Sequence, residues 1–269
     1  MKLGCNTVLF NQLDLYGALQ HISWAGYEGA EIACQEEWAR HLELNTNQAY
    51  VDEIKYIVKK HGLKLFAIQA AFPSLSEEEQ VKAMTKVFDV AQKLTIPIVA
   101  TRAFGKADDK EATTKEFNFL RKISEKAESR GITLAVKPHR GASVYNTATV
   151  LQMLEEIKSP ALGVNFDALH LTKGGDNPAE AALKIGKHIV HVHCHDCPRP
   201  KPTNDTPEDQ VPGRSMINWH AVLNNLKQAG YYDALDVHIV GAFTYPLSRQ
   251  MGLAAEARGY LNRCLQEIQ

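Results

Sequence analysis

The sequence has no basic cluster, no long apolar run and no even set of cysteines, and each absence removes a class of function. Lysine and arginine number 30 against 31 aspartates and glutamates, a formal charge of -1, and they are scattered along the chain. That distribution leaves no electrostatic footprint for nucleic acid. No segment approaches the roughly 18 consecutive apolar residues that a membrane-spanning helix needs. The opening MKLGCNTVLFNQ lacks an apolar stretch followed by a small-residue cleavage site, so a soluble, cytoplasmic protein is expected. Five cysteines, an odd number, do not make a disulfide framework in a chain of this length, and they are expected to stay reduced. No GxGxxG follows the first apolar run, which argues against a doubly wound dinucleotide fold. A small ligand of modest charge fits this composition, with no membrane or nucleic acid as partner.

What is present is regular. The 269 residues, 45% of them hydrophobic, suffice for one full core, and a single domain over 1–269 is expected. Apolar, β-rich runs recur as LGCNTV near 3, GAEIA at 29, LKLFAIQA at 63, IPIVATRAF at 96, ITLAVKP at 132, LGVNFDA at 162, HIVHVH at 188 and ALDVHIV at 234. Between them lie segments of helical period. The stretch 76 to 94 opens with a capping box of Ser76 and Glu79, and the next helical segment sets Phe117, Leu120, Ile123 and Ala127 on one face before stopping at Gly131. Glycine recurs just ahead of strands in WAGYEGAEI, KHGLKLFAI, SRGITLAVK and QAGYYDALDV. Eight strands alternating with helices in about 250 residues predict an α/β fold of the parallel (β/α)8 TIM barrel type, with the active site where the strands end.

Side chains in a barrel strand alternate between the helices outside and the axis within. Leu134 and Val136, Val164 and Phe166, Val190 and Val192, and Leu235 and Val237 form the outward sets of the last four strands. That leaves Lys137, Asp167, His193 and His238 pointing inward near the carboxyl ends, at intervals of 30, 26 and 45 residues. The four are expected to converge on one pocket. The loop CPRPKPTNDTPEDQVPGRS after the seventh strand has the Pro-rich, polar character of a segment that covers a substrate.

On the segments GYEGAEI, GVNFDALH, HVHCHD, VPGRSMINW and AGYYDALDV, the chain resembles the xylose isomerase-like TIM barrels along nearly its whole length. That superfamily holds sugar phosphate isomerases and epimerases and the endonuclease IV enzymes. The resemblance implies one divalent ion held by a Glu, an Asp, a His and a Glu from strands five to eight, the two glutamates also moving the substrate proton. Asp167 and His193 match the inner two of these positions. Lys137 and His238 stand where the glutamates belong, so the set Glu, Asp, His, Glu has become Lys, Asp, His, His. His170 and Arg199 match positions that contact substrate oxygens in the epimerases, with Glu31 and His139 as further substrate contacts. Dimers or tetramers are common in the superfamily, so a homo-oligomer is within expectation.

The altered set changes the chemistry on offer. Asp167, His193 and His238 form a two-His, one-carboxylate metal set, whose imidazoles favour Mn2+, Co2+, Fe2+ or Zn2+ over Mg2+. Such an ion acts as a Lewis acid on an enediolate of a small sugar or sugar acid, with Lys137 and His238 as the catalytic groups. Lys137 is open to three roles: acid or base with a lowered pKa, partner of a substrate carboxylate, or Schiff-base nucleophile. It is equally open to a structural role, its ammonium filling the vacated metal site in a salt bridge to Asp167, and His238 to that of a core histidine. The leading expectation is an isomerase or epimerase; a decarboxylase or other lyase on a 3-oxo sugar acid and a non-catalytic sugar-binding protein stand beside it. A repair nuclease would need three metal ions and a basic face that the chain lacks. His191 reads as packing, His195 as loop surface or outer support, and Trp24, Trp38 and Trp219 as helix packing. The CxxC spacing of Cys194 and Cys197, without a second pair, is a weak redox or zinc signal.

Overall fold

The four glycines that precede strands in the sequence mark the points where helices stop. Gly26, Gly62, Gly131 and Gly230 have φ of 83°, 66°, 66° and 86°. An L side chain avoids that region and glycine enters it freely, so each helix ends there and the chain turns back into the sheet. A computed structural model describes residues 1–198 and 205–268. Its strands are β1 (Lys2–Asn6), β2 (Gly29–Gln35), β3 (Lys64–Ala71), β4 (Ile98–Arg102), β5 (Thr133–Lys137), β6 (Leu162–Asp167), β7 (Ile189–Cys194) and β8 (Ala234–Val237). Each pairs in parallel with its sequence neighbour, and β1 pairs with both β2 and β8, which closes the sheet into the expected barrel. A two-residue segment, Ala39–Arg40, adds an antiparallel rider on the end of β2.

The helices, α1 (Leu15–Trp24), α2 (Gln48–Lys60), α3 (Glu77–Leu94), α4 (Lys110–Glu128), α5 (Thr147–Ile157), α6 (Ala168–Lys173), α7 (Pro178–Ile185), α8 (Trp219–Gln228) and α9 (Leu247–Glu267), follow from their apolar faces. In α3 (Glu77–Leu94) the capping box of Ser76 and Glu79 is formed, and Met84, Val87, Phe88, Ala91 and Leu94 are buried. In α4 (Lys110–Glu128) Phe117, Leu120, Ile123 and Ala127 are buried, as their spacing requires. The outward strand residues Leu134, Val136, Val164, Phe166, Val192, Leu235 and Val237 have no exposure. No helix among the described residues is long and apolar enough to cross a membrane.

Register positions the polar residues. Arg102 lies level with Lys137, Asp167 with His193, and His193 with Asp236, so the carboxyl ends of β4 to β8 carry them as adjoining steps around the axis. β8 ends at Val237, and His238 follows immediately, still 97% shielded from solvent. Deeper in the barrel, Gly4 and Gly29 leave room for Phe66: a Cβ on Gly29 would stand 2.4 Å from its ring and 2.5 Å from the Lys64 carbonyl oxygen.

Gly29→Ala is therefore expected to cost about 1–3 kcal/mol, because the Lys64 backbone cannot retreat without breaking the β2–β3 pairing. Urea unfolding checks it, and a variant as stable as wild type contradicts the account. Glu116 on α4 makes a pH-dependent contribution. Burial pushes its carboxyl up to about 7 even though it accepts from the Phe104 amide. A carboxyl raised in the fold stabilises it below the ordinary value near 4.5, and that contribution disappears as pH rises through about 7. Glu116→Gln keeps the acceptor, so its Tm between pH 5 and 8 is expected to fall less than that of wild type.

Candidate functional site

A cavity of about 310 Å3 opens at the carboxyl ends of the strands. Of the residues expected to form the site, Lys137, His139, His170 and His238 line it. Asp167 and His193 lie directly beneath, with no exposure. Arg199, expected to bind substrate, falls outside the described residues. Glu31 was expected near the end of its strand; β2 runs four residues further, to Gln35, so Gln35 lines the cavity and Glu31 sits in mid-barrel. There Glu31 accepts from His193 Nε2 at 2.7 Å and from the Asn6 amide.

Asp167 ends β6 and caps α6 (Ala168–Lys173) by accepting the His170 amide at 3.2 Å. Its Oδ2 is 3.6 Å from Lys137 Nζ, 3.4 Å from His195 Nδ1 and 3.6 Å from His193 Nδ1. Burial opposes its ionisation, yet His170, His195 and Lys137 together hold the carboxyl well below the usual range. Burial pulls the Lys137 ammonium below its ordinary value against the attraction of Asp167 and Glu31. His170 and His238 are kept neutral chiefly by burial, and burial with the Lys137 charge brings His139 down to about 3.

The hydrogen-bond network fixes which nitrogens are bare. Gln210 donates its amide to the Val240, Thr206 and Asp205 carbonyls, so its oxygen faces His195 Nε2 at 3.1 Å, and that nitrogen must donate. His195 Nδ1 is then a lone pair aimed at Asp167. Asn6 accepts from the Val8 amide and donates to Gln69 Oε1 at 2.8 Å, so Gln69 Oε1 also accepts from His238 Nε2 at 3.1 Å. His238 Nδ1 is left buried and without a hydrogen-bond partner. Bare imidazole nitrogens backed by donated N–H groups are what a divalent ion requires of histidine.

The residues therefore fit a metal, and the structure adds the His195 imidazole to the donors expected around Asp167. Ligand atoms of Asp167, His195 and His238 lie within 4.8 Å of one another. His193 groups instead with Glu31 and His191, because Glu31 takes its Nε2 and its ring stacks on that of His238 at 4.4 Å and 7°. Of the two readings of His195, loop surface is corrected: the residue is buried within the site, only 4% exposed. The signal available was the alternation itself: 191, 193 and 195 share one side of a strand.

Other parts of the wall were missed. Trp38, read as helix packing, stands on the loop after β2 and lines the cavity with 39% exposure. Trp24 closes α1 (Leu15–Trp24) but is largely exposed, and only Trp219 is fully buried as expected. Arg102, over the Phe104 ring and paired with Glu37, and the ion pair of Lys173 with Asp205 complete the rim. Cys194 and Cys197 are both buried, and burial pushes the Cys194 thiol well up, the opposite of what redox chemistry needs. Asp196, next to them, organises the loop after β7: it accepts from the amides of Cys197, Gly213 and Ile217 and from the Trp219 indole.

Comparison with known proteins agrees with this architecture. The family model of the xylose isomerase-like TIM barrel matches residues 19–262. An inosose isomerase of Halalkalibacterium halodurans is 25% identical over 93% of this chain and 92% of its own. An inosose dehydratase of Clostridium botulinum is 24% identical over 42% of each chain. The crystal structure of a D-tagatose 3-epimerase-like protein superposes with a TM-score of 0.81 at 22% identity, covering 100% of this chain and 98% of the other.

Asp196→Ala strands three amides and an indole N–H in a buried loop, and is expected to destabilise the protein by roughly 3 kcal/mol or more. Denaturant unfolding checks the figure; a change below about 1 kcal/mol means that water reaches those donors.

Proposed function

The chain belongs to the xylose isomerase-like TIM barrel family, and on that premise we propose that it moves a proton at a carbon beside the carbonyl of a ketose, inosose or sugar acid, as an isomerase or epimerase. The observation that carries this reading is the bare, buried His238 Nδ1 beside Asp167 and His195, with Lys137 at the same spot. Asp167, His195 and His238 are the residues to hold one divalent ion, with imidazole favouring Mn2+, Co2+, Fe2+ or Zn2+ over Mg2+. Bound there, such an ion supplies Lewis acidity that polarises a carbonyl oxygen.

The remaining work belongs to the chain. Lys137 Nζ lies 3.5 Å from His193 Nδ1, which is a bare acceptor because Nε2 donates to Glu31. Burial already draws the Lys137 ammonium below its ordinary value, and as a free amine it faces the cavity as a base. His139 and His170, stacked at 4.2 Å, and Arg102 on the rim offer donors for substrate hydroxyls or a carboxylate. Trp38 lines the cavity and adds apolar wall that limits water at the reacting carbon.

A lyase reading has its own support. With both family glutamates absent, Lys137 is left beside Asp167 as a cavity-facing base; loss of CO2 from a 3-oxo acid needs one proton transfer, to the enolate carbon, where epimerisation needs two, and in elimination of water a single group can remove the carbon proton and return it to the leaving hydroxyl. The dehydratase named among the relatives points the same way. A panel of ketoses, inososes and 3-oxo sugar acids incubated in D2O separates the two: deuterium gained with the carbon skeleton intact marks an isomerase or epimerase, loss of water or CO2 a lyase.

In either case Lys137→Met is expected to slow exchange of the substrate proton by about 100-fold or more, read by NMR. Exchange at the wild-type rate overturns the role given to Lys137. Gln210→Leu releases the His195 tautomer and is expected to weaken binding of the pocket cation by about 10–100-fold, read by competition with a chelator. Unchanged affinity contradicts His195 as a ligand.

A further inference from the structure

Beneath the pocket the barrel axis carries a second polar cluster that the proposed reaction does not use. Glu31 on β2, His191 on β7 and Asp236 on β8 have no exposure to solvent. His191 Nε2 lies 3.2 Å from Glu31 Oε1 and 3.5 Å from Asp236 Oδ2. None of these contacts is a well-formed hydrogen bond. Glu31 Oε1, both ring nitrogens of His191 and both oxygens of Asp236 are buried without a hydrogen-bond partner. Native proteins leave few such atoms unpaired, and five on a histidine and the two carboxylates beside it call for something between them.

Spacing and charge identify what fits. Ligands at about 2.1 Å from a tetrahedral zinc ion stand about 3.4 Å apart, and the two His191 contacts bracket that separation. Glu31 Oε2 is already engaged by His193 and Asn6, which leaves Oε1 turned toward His191. Two carboxylates and a neutral imidazole carry two negative charges, which a divalent cation cancels in a medium that tolerates no net charge. Protons are the cluster's only other means of neutralisation: burial pushes Asp236 up to about 8, and Glu31 with Asp236 holds His191 above its ordinary value despite burial.

We propose that Glu31, His191 and Asp236 hold a second divalent cation, of the zinc class, which ties β2, β7 and β8 together below the pocket. Imidazole among the ligands selects zinc-like ions over Mg2+ or Ca2+. His191 also borders a cavity of about 780 Å3 at the amino-terminal end of the barrel, on the side away from the substrate pocket. The proposal stands independently of the reaction assigned to that pocket.

Asp167→Asn isolates the deep site by disabling the pocket set. Wild type, Asp167→Asn and the double variant Asp167→Asn, Asp236→Asn are equilibrated with Zn2+, freed of excess by gel filtration and analysed by mass spectrometry for metal. Two, one and no ions per chain are expected, with the Tm of Asp167→Asn raised by Zn2+. Asp167→Asn without bound zinc, or with zinc that survives the added Asp236→Asn, overturns the proposal. If the double variant does not fold, Co2+ in Asp167→Asn decides: intense visible bands of a tetrahedral ion support the site, and the weak bands of a hydrated surface ion overturn it. The wild-type count against Asp167→Asn reports the pocket ion alone, so the two readings fail separately.

Discussion

Asp167 is an ionised carboxylate with no contact with water, and much of the molecule's interior is arranged to make that tolerable. A buried charge survives only where donors and counter-charges surround it. Asp167 accepts from the first turn of α6 and pairs with the Lys137 ammonium, while the rings of His195 and His193 close around it at 3.4 and 3.6 Å. Each partner is itself held from behind: His195 by Gln210, and His193 by Glu31. The cost of burying one charge is thus spread over the carboxyl half of the barrel, and the same arrangement fixes the tautomers that chemistry at the pocket depends on.

The polar interior has two storeys joined by amides. Lys137, Asp167, His195 and His238 form the upper one, facing the cavity; Glu31, His191 and Asp236 form the lower. Asn6 and Gln69 connect them, Asn6 donating to both Glu31 and Gln69 while Gln69 accepts from His238. His193 belongs to both levels, with one nitrogen on Glu31 and the other toward Lys137. Room for the lower storey comes from glycine: a Cβ on Gly4 would stand 2.1 Å from Asp236 Oδ1.

Much of this was legible residue by residue. The period-2 alternation of strands five to eight identified Lys137, Asp167, His193 and His238 as inward, and the structure brings them together, because a side chain's direction in a strand is a local property of the backbone. The same rule applied to HIVHVHCHD includes His195; treating it as surface stopped the pattern where the strand was thought to end. Glu31 shows the complementary limit, since its depth depended on how far β2 continues, and that is set by pairing with β3 through Gln35 and Ala71.

The sequence by itself determined the barrel, the points at which its helices stop and the polar character of its axis, since periodicity, capping residues and glycine act within a few residues of themselves. Only the tertiary structure decided which imidazole nitrogens are bare, that His195 joins Asp167 and His238, and that His191 meets both Glu31 and Asp236. Those outcomes rest on contacts between residues far apart in the chain, such as Glu31 with His193 and Gln69 with His238, and on desolvation, which is imposed by the closed barrel as a whole.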